Sequence, residues 1–245
     1  MIFFLLALLA DPTLEVVDLS YPLGPHTPTF GGKPQFSSRE VGGPNYSVKE
    51  VELNEHTGTH VDAPAHFVKG GLSVDMLSAR SLVAPAVVVD VRKQCEKEPE
   101  YRVTAADLQA WEKKNGKIPY GALVIAVTGW SAKWADPKSY RNADDKGLLH
   151  FPGFGEDAID WLLANRQRIA GLAIDTLSVD YGASTGFEVH KKSHKAGWYH
   201  VENLDRPERL PAKGATVVVG VIPFVGGSGA PARVIALLPA GASHK

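Results

Sequence analysis

The chain has 245 residues, and its 44% hydrophobic and 22% charged residues are ordinary for one globular α/β domain with a buried core. A formal net charge of −1 without long basic runs argues against nucleic-acid and anionic-membrane partners. The single cysteine, Cys95, excludes an intrachain disulfide and a cysteine-type zinc site; because its neighbours are charged, we expect a surface thiol without a catalytic role.

The first ten residues, 1–10, form an apolar segment that reads MIFFLLALLA. It is too short to span a bilayer, which needs about 20 residues. The segment resembles the core of a secretory signal peptide, although it lacks the usual positively charged start. We expect either a secreted or periplasmic protein or, if the segment packs on the body or on a partner subunit, a cytoplasmic one. The functional domain is then 11–245.

The next elements mix strands with one clear helix. A first strand at 14–19 precedes a Pro/Gly-rich stretch at 22–34 that is too broken for regular structure. Further strands are predicted at 48–53, 86–91 and 123–128, the last two as continuous apolar runs typical of buried strands. Thr104 and Asp107 have capping-box spacing, which predicts a helix from 104 to 115 that ends at Gly116.

The C-terminal half continues this alternation. A helix is predicted at 156–169, with Ile159, Leu162 and Leu163 on one stripe and Gly171 as its terminator. Strands are expected at 172–175, 216–222 and 234–238, and the glycine-rich run 226–229 is interpreted as a turn between the last two. The pattern predicts a mixed α/β fold with one core, and it does not reveal the strand order.

Residues 54–67 read NEHTGTHVDAPAHF and concentrate histidines. His56 and His60 have helical spacing, but Gly58, β-branched neighbours and Pro64 argue against a helix. A strand end that runs into a tight loop fits better. We expect Gly58 to let the chain bend so that His56 joins the residues that follow.

His60 and Asp62 point to the same side of an extended chain. With His56 they form a set of two imidazoles and a carboxylate that suits zinc or manganese, and three protein ligands leave positions open, as in catalytic sites. A cation there would lower the pKa of water towards about 7. His66 is interpreted as a fourth ligand or as a proton shuttle.

A second histidine cluster contains His190, His194, His200 and Glu202. His190 and His194 lie four apart on a predicted short helix that is closed by Gly197. The spacing does not decide which histidine reaches the site, and a solvated helix face explains each of them equally well.

The motif resembles the signature of the cyclase family of metal-dependent hydrolases, His-x-Gly-Thr-His-x-Asp-x-Pro-x-His, which includes bacterial kynurenine formamidase and isatin hydrolase. This chain carries it in full from His56 to His66. The similarity continues at Asp18-Leu19-Ser20 with Pro22-Leu23, at 174–178, and from 189–190 to 202–204. It covers nearly the whole chain after the apolar start.

The resemblance implies a swivelling β/β/α fold in a single domain, usually assembled as a dimer or a larger oligomer such as a tetramer. It implies His66 as the catalytic proton carrier and Zn²⁺ or Mn²⁺ as cofactor, with one or two ions per subunit. Carried over by position, the metal ligands are His56, His60, Asp62, His190 and Glu202.

Members of this family commonly have a tryptophan where this chain has Phe30, and that loop lines the substrate pocket, so the substrate is the least defined feature. A flat aromatic ring in the substrate suits aromatic walls. The candidate substrate-binding residues, each of which core packing also explains, are Phe30, Phe67, Trp130 and Trp198.

We therefore expect an amidohydrolase of enzyme class EC 3.5 that acts on an aryl formamide such as N-formylkynurenine, as in tryptophan catabolism, or on a cyclic aryl amide such as isatin. Two alternatives remain: a lactone or ester hydrolase with the same site, and a non-catalytic metal-binding protein. The chain contains no Gly-x-Ser-x-Gly elbow, which gives a serine hydrolase little support.

Overall fold

The computed structural model describes residues 14–164 and 169–239. The strands are β1 (Leu14–Asp18), β2 (Phe36–Glu40), β3 (Lys49–Leu53), β4 (His60–Asp62), β5 (Val83–Asp90), β6 (Arg102–Val103), β7 (Leu123–Val127), β8 (Gly153–Phe154), β9 (Gly171–Ile174), β10 (Tyr199–Glu202), β11 (Lys213–Val221) and β12 (Gly229–Pro239). The α-helices are α1 (Arg92–Cys95), α2 (Ala105–Asn115), α3 (Pro137–Arg141), α4 (Glu156–Ala164) and α5 (Glu188–Lys195). Short 3-10 helices are Pro64–His66, Val74–Met76, Trp130–Lys133 and Pro207–Arg209.

The main sheet has the strand order β1-β12-β11-β5-β7-β9-β10-β4, and β4 also pairs with β12. This last pairing closes the sheet into a mixed barrel, with β1 added to the free part of the β12 edge. Strands β5, β7, β9 and β10 run parallel, whereas β11, β12 and β4 pair antiparallel. The mixed α/β fold predicted from the sequence is confirmed.

Two apolar cores lie on the two faces of this barrel. Along β7, Leu123, Ile125 and Val127 belong to the core inside the barrel. The alternating residues Val124 and Ala126 belong to the outer core, which α2, α4 and α5 cover. Because both faces of the central parallel strands are buried, their sequences are continuous apolar runs rather than alternating ones.

Helix α2 starts as its sequence predicts. The side chain of Thr104 accepts from the backbone N–H of Asp107, and the Asp107 carboxylate accepts from the N–H of Thr104. The helix ends at Gly116, where φ is +90°. In α4, Ile159 and Leu162 are buried, but Leu163 lies on the solvent side, so its predicted place on the apolar stripe was wrong.

Cys95 also departs from its prediction, because it is buried in the outer core rather than on the surface. Its charged sequence neighbours point to solvent while the thiol faces the core. The apolar segment 1–10 and part of the predicted helix 156–169 lie outside the described residues. Among the described residues, no helix combines the length and apolar character needed to cross a membrane.

Candidate active site

The site is built on the antiparallel pair of β4 and β10. The register sets His60 opposite Glu202 and Asp62 opposite His200. Because side chains alternate along a strand, these four point to one face of the sheet. Val61, which lies between His60 and Asp62 on β4, points to the opposite face and into the barrel core. Two short strands thus place two imidazoles and two carboxylates side by side.

His56 reaches this face from the turn before β4. Gly58 adopts φ +68°, the left-handed conformation that bends the chain back. The backbone N–H of His56 donates to Asn54 Oδ1 at 2.9 Å, which holds the turn. A Cβ atom on Gly229 of β12 would lie 2.6 Å from His56 Cε1. The imidazole therefore packs directly on the backbone of a glycine.

His190 enters the site from the first turn of α5. Its Nδ1 lies 2.7 Å from Asp180 Oδ2, and the same oxygen accepts from the His190 backbone N–H at 3.1 Å. The other carboxylate oxygen of Asp180 accepts from the backbone N–H of Val189. Asp180 thus both anchors the start of α5 and orients the imidazole of His190.

The three imidazoles converge on the Asp62 carboxylate. His56 Nδ1 and His60 Nε2 lie 2.5 and 3.1 Å from Oδ1, and His190 Nε2 lies 3.3 Å from Oδ2. Glu202 completes the group, with His190 Nε2 at 3.4 Å and His60 Nε2 at 3.6 Å. The structure brings together all five residues that the family resemblance implies as metal ligands.

The other ring nitrogens define the tautomers. His60 Nδ1 donates to the carbonyl of Gly58 at 2.8 Å, and His190 Nδ1 donates to Asp180. His56 Nε2 lies 3.0 Å from Ser228 Oγ, whose own hydrogen is donated to Glu55. Each imidazole therefore turns its remaining nitrogen towards the carboxylates.

Three imidazole nitrogens and two carboxylates converge there. Two buried carboxylates side by side are favourable only with positive charge, from protonated imidazoles or from a cation, and imidazole with carboxylate is a ligand set that fits a divalent cation.

The pKa shifts of the cluster residues also show that positive charge is stabilised next to the two carboxylates. Burial opposes ionisation of Asp62, but the charge of His60 and hydrogen bonds from His190 and His56 hold its pKa well below the usual range. Burial likewise opposes the charging of His60, yet the Asp62 carboxylate raises its pKa to about 9. Burial, together with the nearby Asp62 charge, raises the pKa of Glu202.

His66 lies at the mouth of the site, in the 3-10 turn after β4. Its ring centroid is 4.1 Å from that of His56 and 5.9 Å from that of His190. Burial of the imidazole, with the charges of these two histidines, lowers the pKa of His66 to about 4. The residue as a whole is exposed. His66 is thus neutral at pH 7, and one of its nitrogens also lies within 4.8 Å of ligand atoms of His56 and Asp62.

A cavity of about 310 Å³ opens above the cluster and is lined by Phe30, Phe67, Phe187, Leu177 and the cluster residues. Phe187 is 6.2 Å from Phe30 and 5.5 Å from Phe67 between ring centroids. Three phenylalanine rings therefore surround the space next to the imidazoles. The volume lies at the lower end of the range for small-molecule sites.

The two tryptophans expected to line this cavity lie elsewhere. Trp130 packs in a small core with Tyr140 and donates from Nε1 to the Tyr140 carbonyl at 2.7 Å. Trp198 is buried in the outer core. Both indoles therefore serve core packing, the alternative role given for them in the sequence analysis, and not substrate binding.

Several site residues were not singled out from the sequence. Asn203 donates from Nδ2 to the Gly58 carbonyl at 2.8 Å and so supports the acceptor of His60. Phe187 lines the cavity, and Asp180 and Ser228 orient histidines. The signal for Ser228 was the glycine-rich run 226–229, which was interpreted only as a turn. Asp180 lies shortly after β9, and the histidine that it orients, His190, lies ten residues later in the chain, so no short motif links the two.

Comparison with known proteins gives consistent results. The family model described as "Putative cyclase" matches residues 17–181. An isatin hydrolase from Roseibium aggregatum is 33% identical over 254 aligned residues, which cover 95% of each chain. A kynurenine formamidase from Bacillus cereus is 38% identical over 84 residues, covering 32% of this chain and 40% of the relative.

Solved structures show the same likeness over nearly the whole chain. The crystal structure of an isatin hydrolase bound to the product analogue thioisatinate has a TM-score of 0.86 and 32% identity, and the match covers 93% of each chain. The two structures therefore share one fold over most of the chain.

Proposed function

The chain belongs to the cyclase family of metal-dependent hydrolases, and from that premise we propose that it opens a cyclic aryl amide of the isatin type by hydrolysis of the C–N bond. Its similarity to isatin hydrolase and kynurenine formamidase supports metal-dependent amide hydrolysis. The observation that carries the proposal is the convergence of three histidines on Asp62 and Glu202 at the floor of an aromatic cavity.

The residues that would hold metal are those whose lone pairs converge. His56, His60 and Asp62 would hold one divalent cation, and Asp62 with His190 and Glu202 a second. Zn²⁺ and Mn²⁺ are the proposed ions. A bound cation polarises the substrate carbonyl and lowers the pKa of water, so that the nucleophile forms at neutral pH.

His66 is the proposed general base and acid. It is neutral at pH 7 because burial lowers its pKa to about 4. In that state it takes a proton from the attacking water and returns it to the amide nitrogen as the C–N bond breaks. Such proton transfer contributes roughly 10²–10⁴-fold to the rate.

The aromatic walls are the proposed substrate contacts. Phe30, Phe67 and Phe187 offer ring faces and edges to a planar substrate ring whose carbonyl lies towards the cluster. The full-length likeness to isatin hydrolase favours a cyclic amide. N-formylkynurenine is the second candidate, supported by the shorter match to kynurenine formamidase.

The expected homo-oligomer, a dimer or tetramer, stays a prediction that rests on the family resemblance. Light scattering of the full chain at micromolar concentration measures its mass, and a monomer at that concentration would contradict the prediction.

The substrate is tested by parallel turnover of isatin, N-formylkynurenine and an aryl lactone by the same metal-loaded enzyme. We expect the highest kcat/KM for isatin. Preference for N-formylkynurenine would move the protein to the second candidate. Hydrolysis of the lactone alone would contradict amide hydrolysis and favour an esterase with the same site.

A further inference from the structure

His200 is a buried histidine of the site to which the proposed mechanism assigns no role. It lies directly opposite Asp62 in the pairing of β10 and β4. Its side chain is fully buried, and its Nδ1 has no hydrogen-bond partner among the described residues. This Nδ1 lies 4.0 Å from Asp62 Oδ2.

The partner of the other ring nitrogen determines the tautomer of His200. Ser193 Oγ donates its only hydrogen to the carbonyl of Val189, at 2.5 Å, in the preceding turn of α5. Ser193 Oγ also lies 2.7 Å from His200 Nε2, so it must accept a hydrogen from that nitrogen. The proton of neutral His200 is therefore on Nε2, and Nδ1 carries a lone pair.

Two acceptors thus face each other in a dry part of the protein. A lone pair on His200 Nδ1 and a carboxylate oxygen of Asp62 both lack a donor between them, which is costly unless a cation or another donor fills the gap. The ring of His190 meets that of His200 edge to face, at 4.7 Å and 81°. Its Nε2 also faces Asp62 Oδ2.

We propose that His200 Nδ1 is a ligand of the second cation position, together with Asp62 and His190. The inference rests on the proposed function, because it assumes that the cluster holds metal. With His200 included, the second cation position has two imidazole ligands, His190 and His200, instead of one. Imidazole favours zinc, whereas carboxylate-rich sets favour manganese and magnesium. The second position therefore prefers zinc over manganese.

His194 is the competing candidate, since its Nε2 is also buried without a partner. Its ring stacks on that of His200, with centroids 4.0 Å apart and planes within 20°. Both rings offer a nitrogen within 4.8 Å of ligand atoms of Asp62 and His190. His200 Nδ1 is the one that lies 4.0 Å from Asp62 Oδ2, so the ligand role is assigned to His200.

The experiment uses the full chain, stripped with a chelator and titrated separately with Zn²⁺ and Mn²⁺. The variants are H200F, which keeps a buried ring without a ligand atom, and H200Q, which tests the site if H200F does not fold. H194F is the matched control, because it alters the other ring of the same stack. The readouts are zinc affinity by chelator competition and the absorption spectrum of the Co²⁺-loaded protein.

For H200F we expect at least about 10-fold weaker binding of the second zinc equivalent, a smaller change for manganese and an altered Co²⁺ spectrum. H194F should keep both zinc equivalents and the spectrum. Uptake of a single zinc equivalent by the wild type would overturn the inference. So would a zinc affinity that H194F lowers and H200F leaves unchanged, or an H200F spectrum identical to wild type.

Failure of the inference differs from failure of the proposed function. If the wild type hydrolyses isatin while H200F keeps both zinc equivalents, His200 is structural and the function stands. If H200F loses the second zinc equivalent while the wild type hydrolyses no amide, the ligand assignment stands and the function falls.

Discussion

Asp180 Oδ2 lies 2.7 Å from Nδ1 of His190 and also accepts from the backbone N–H of the same residue. One carboxylate oxygen therefore determines both the position and the tautomer of an imidazole whose Nε2 faces Asp62. Histidines that bind metal commonly donate their second nitrogen to a carboxylate, and such partners tune the affinity of the site. Asp180 is accordingly a positioning residue.

The first prediction concerns this residue. D180N keeps the side-chain shape but turns one acceptor into a donor that faces the N–H groups of His190. We expect metal affinity to fall about 10–100-fold, measured by competition with a fluorescent chelator. D160N is the matched control, because Asp160 of α4 pairs on the surface with Lys192 of α5, the helix that carries His190. Equal affinities in the two variants would show that Asp180 does not orient a ligand.

The second prediction separates proton transfer from metal binding. H66A should lower kcat by roughly 10²–10⁴-fold while the metal content stays at the wild-type level. Turnover and metal analysis on the same preparation give both values. Loss of metal together with activity would make His66 a ligand, and unchanged turnover would remove it from the mechanism.

The third prediction tests the close packing of His56 on β12. The added Cβ of G229A would lie 2.6 Å from both His56 Cε1 and the Val61 carbonyl oxygen, so imidazole and strand must move apart. We expect weaker metal binding and a loss of about 1–3 kcal/mol of stability, measured by chelator competition and denaturant unfolding. G24A is the control, because its Cβ meets nothing within 4 Å. Wild-type metal affinity in G229A would contradict the packing.

The fourth prediction uses the buried thiol. Burial, with the charges of nearby aspartates, raises the pKa of Cys95 to about 12. At pH 8 we expect iodoacetamide to label the native protein far more slowly than the urea-unfolded protein, whose thiol has a pKa of about 8.5. Equal rates would show that Cys95 is exposed.

The same shift links stability to pH. Between about 8.5, the unfolded value, and about 12, the folded protein keeps a proton that the unfolded chain has lost. The free energy of unfolding should therefore decrease as the pH rises through this window. The decrease should be smaller in C95A, and an identical pH dependence in both proteins would contradict the buried thiol.

Local features of the site followed from the sequence because they depend on near neighbours. The two-residue period of a strand placed His60 and Asp62 on one side, and β4 has this geometry. The bend at Gly58 followed from glycine's freedom and appears as a left-handed residue. The capping residues of α2 are equally local.

Other features depend on contacts between distant segments. The choice of His190 over His194 needs the approach of α5 to β4 and the anchor at Asp180, which histidine spacing does not encode. Large aromatic residues suit a core and a pocket equally, so Trp130 and Trp198 were placed in the cavity although both are packed inside. The barrel order also rests on non-local pairing.

Isatin turnover before and after removal of metal tests metal-dependent amide hydrolysis at the cluster around Asp62. We predict that the chelator-stripped enzyme is inactive, that zinc or manganese restores turnover, and that D62N stays inactive with either ion. Undiminished hydrolysis by a preparation shown to be free of metal would contradict it.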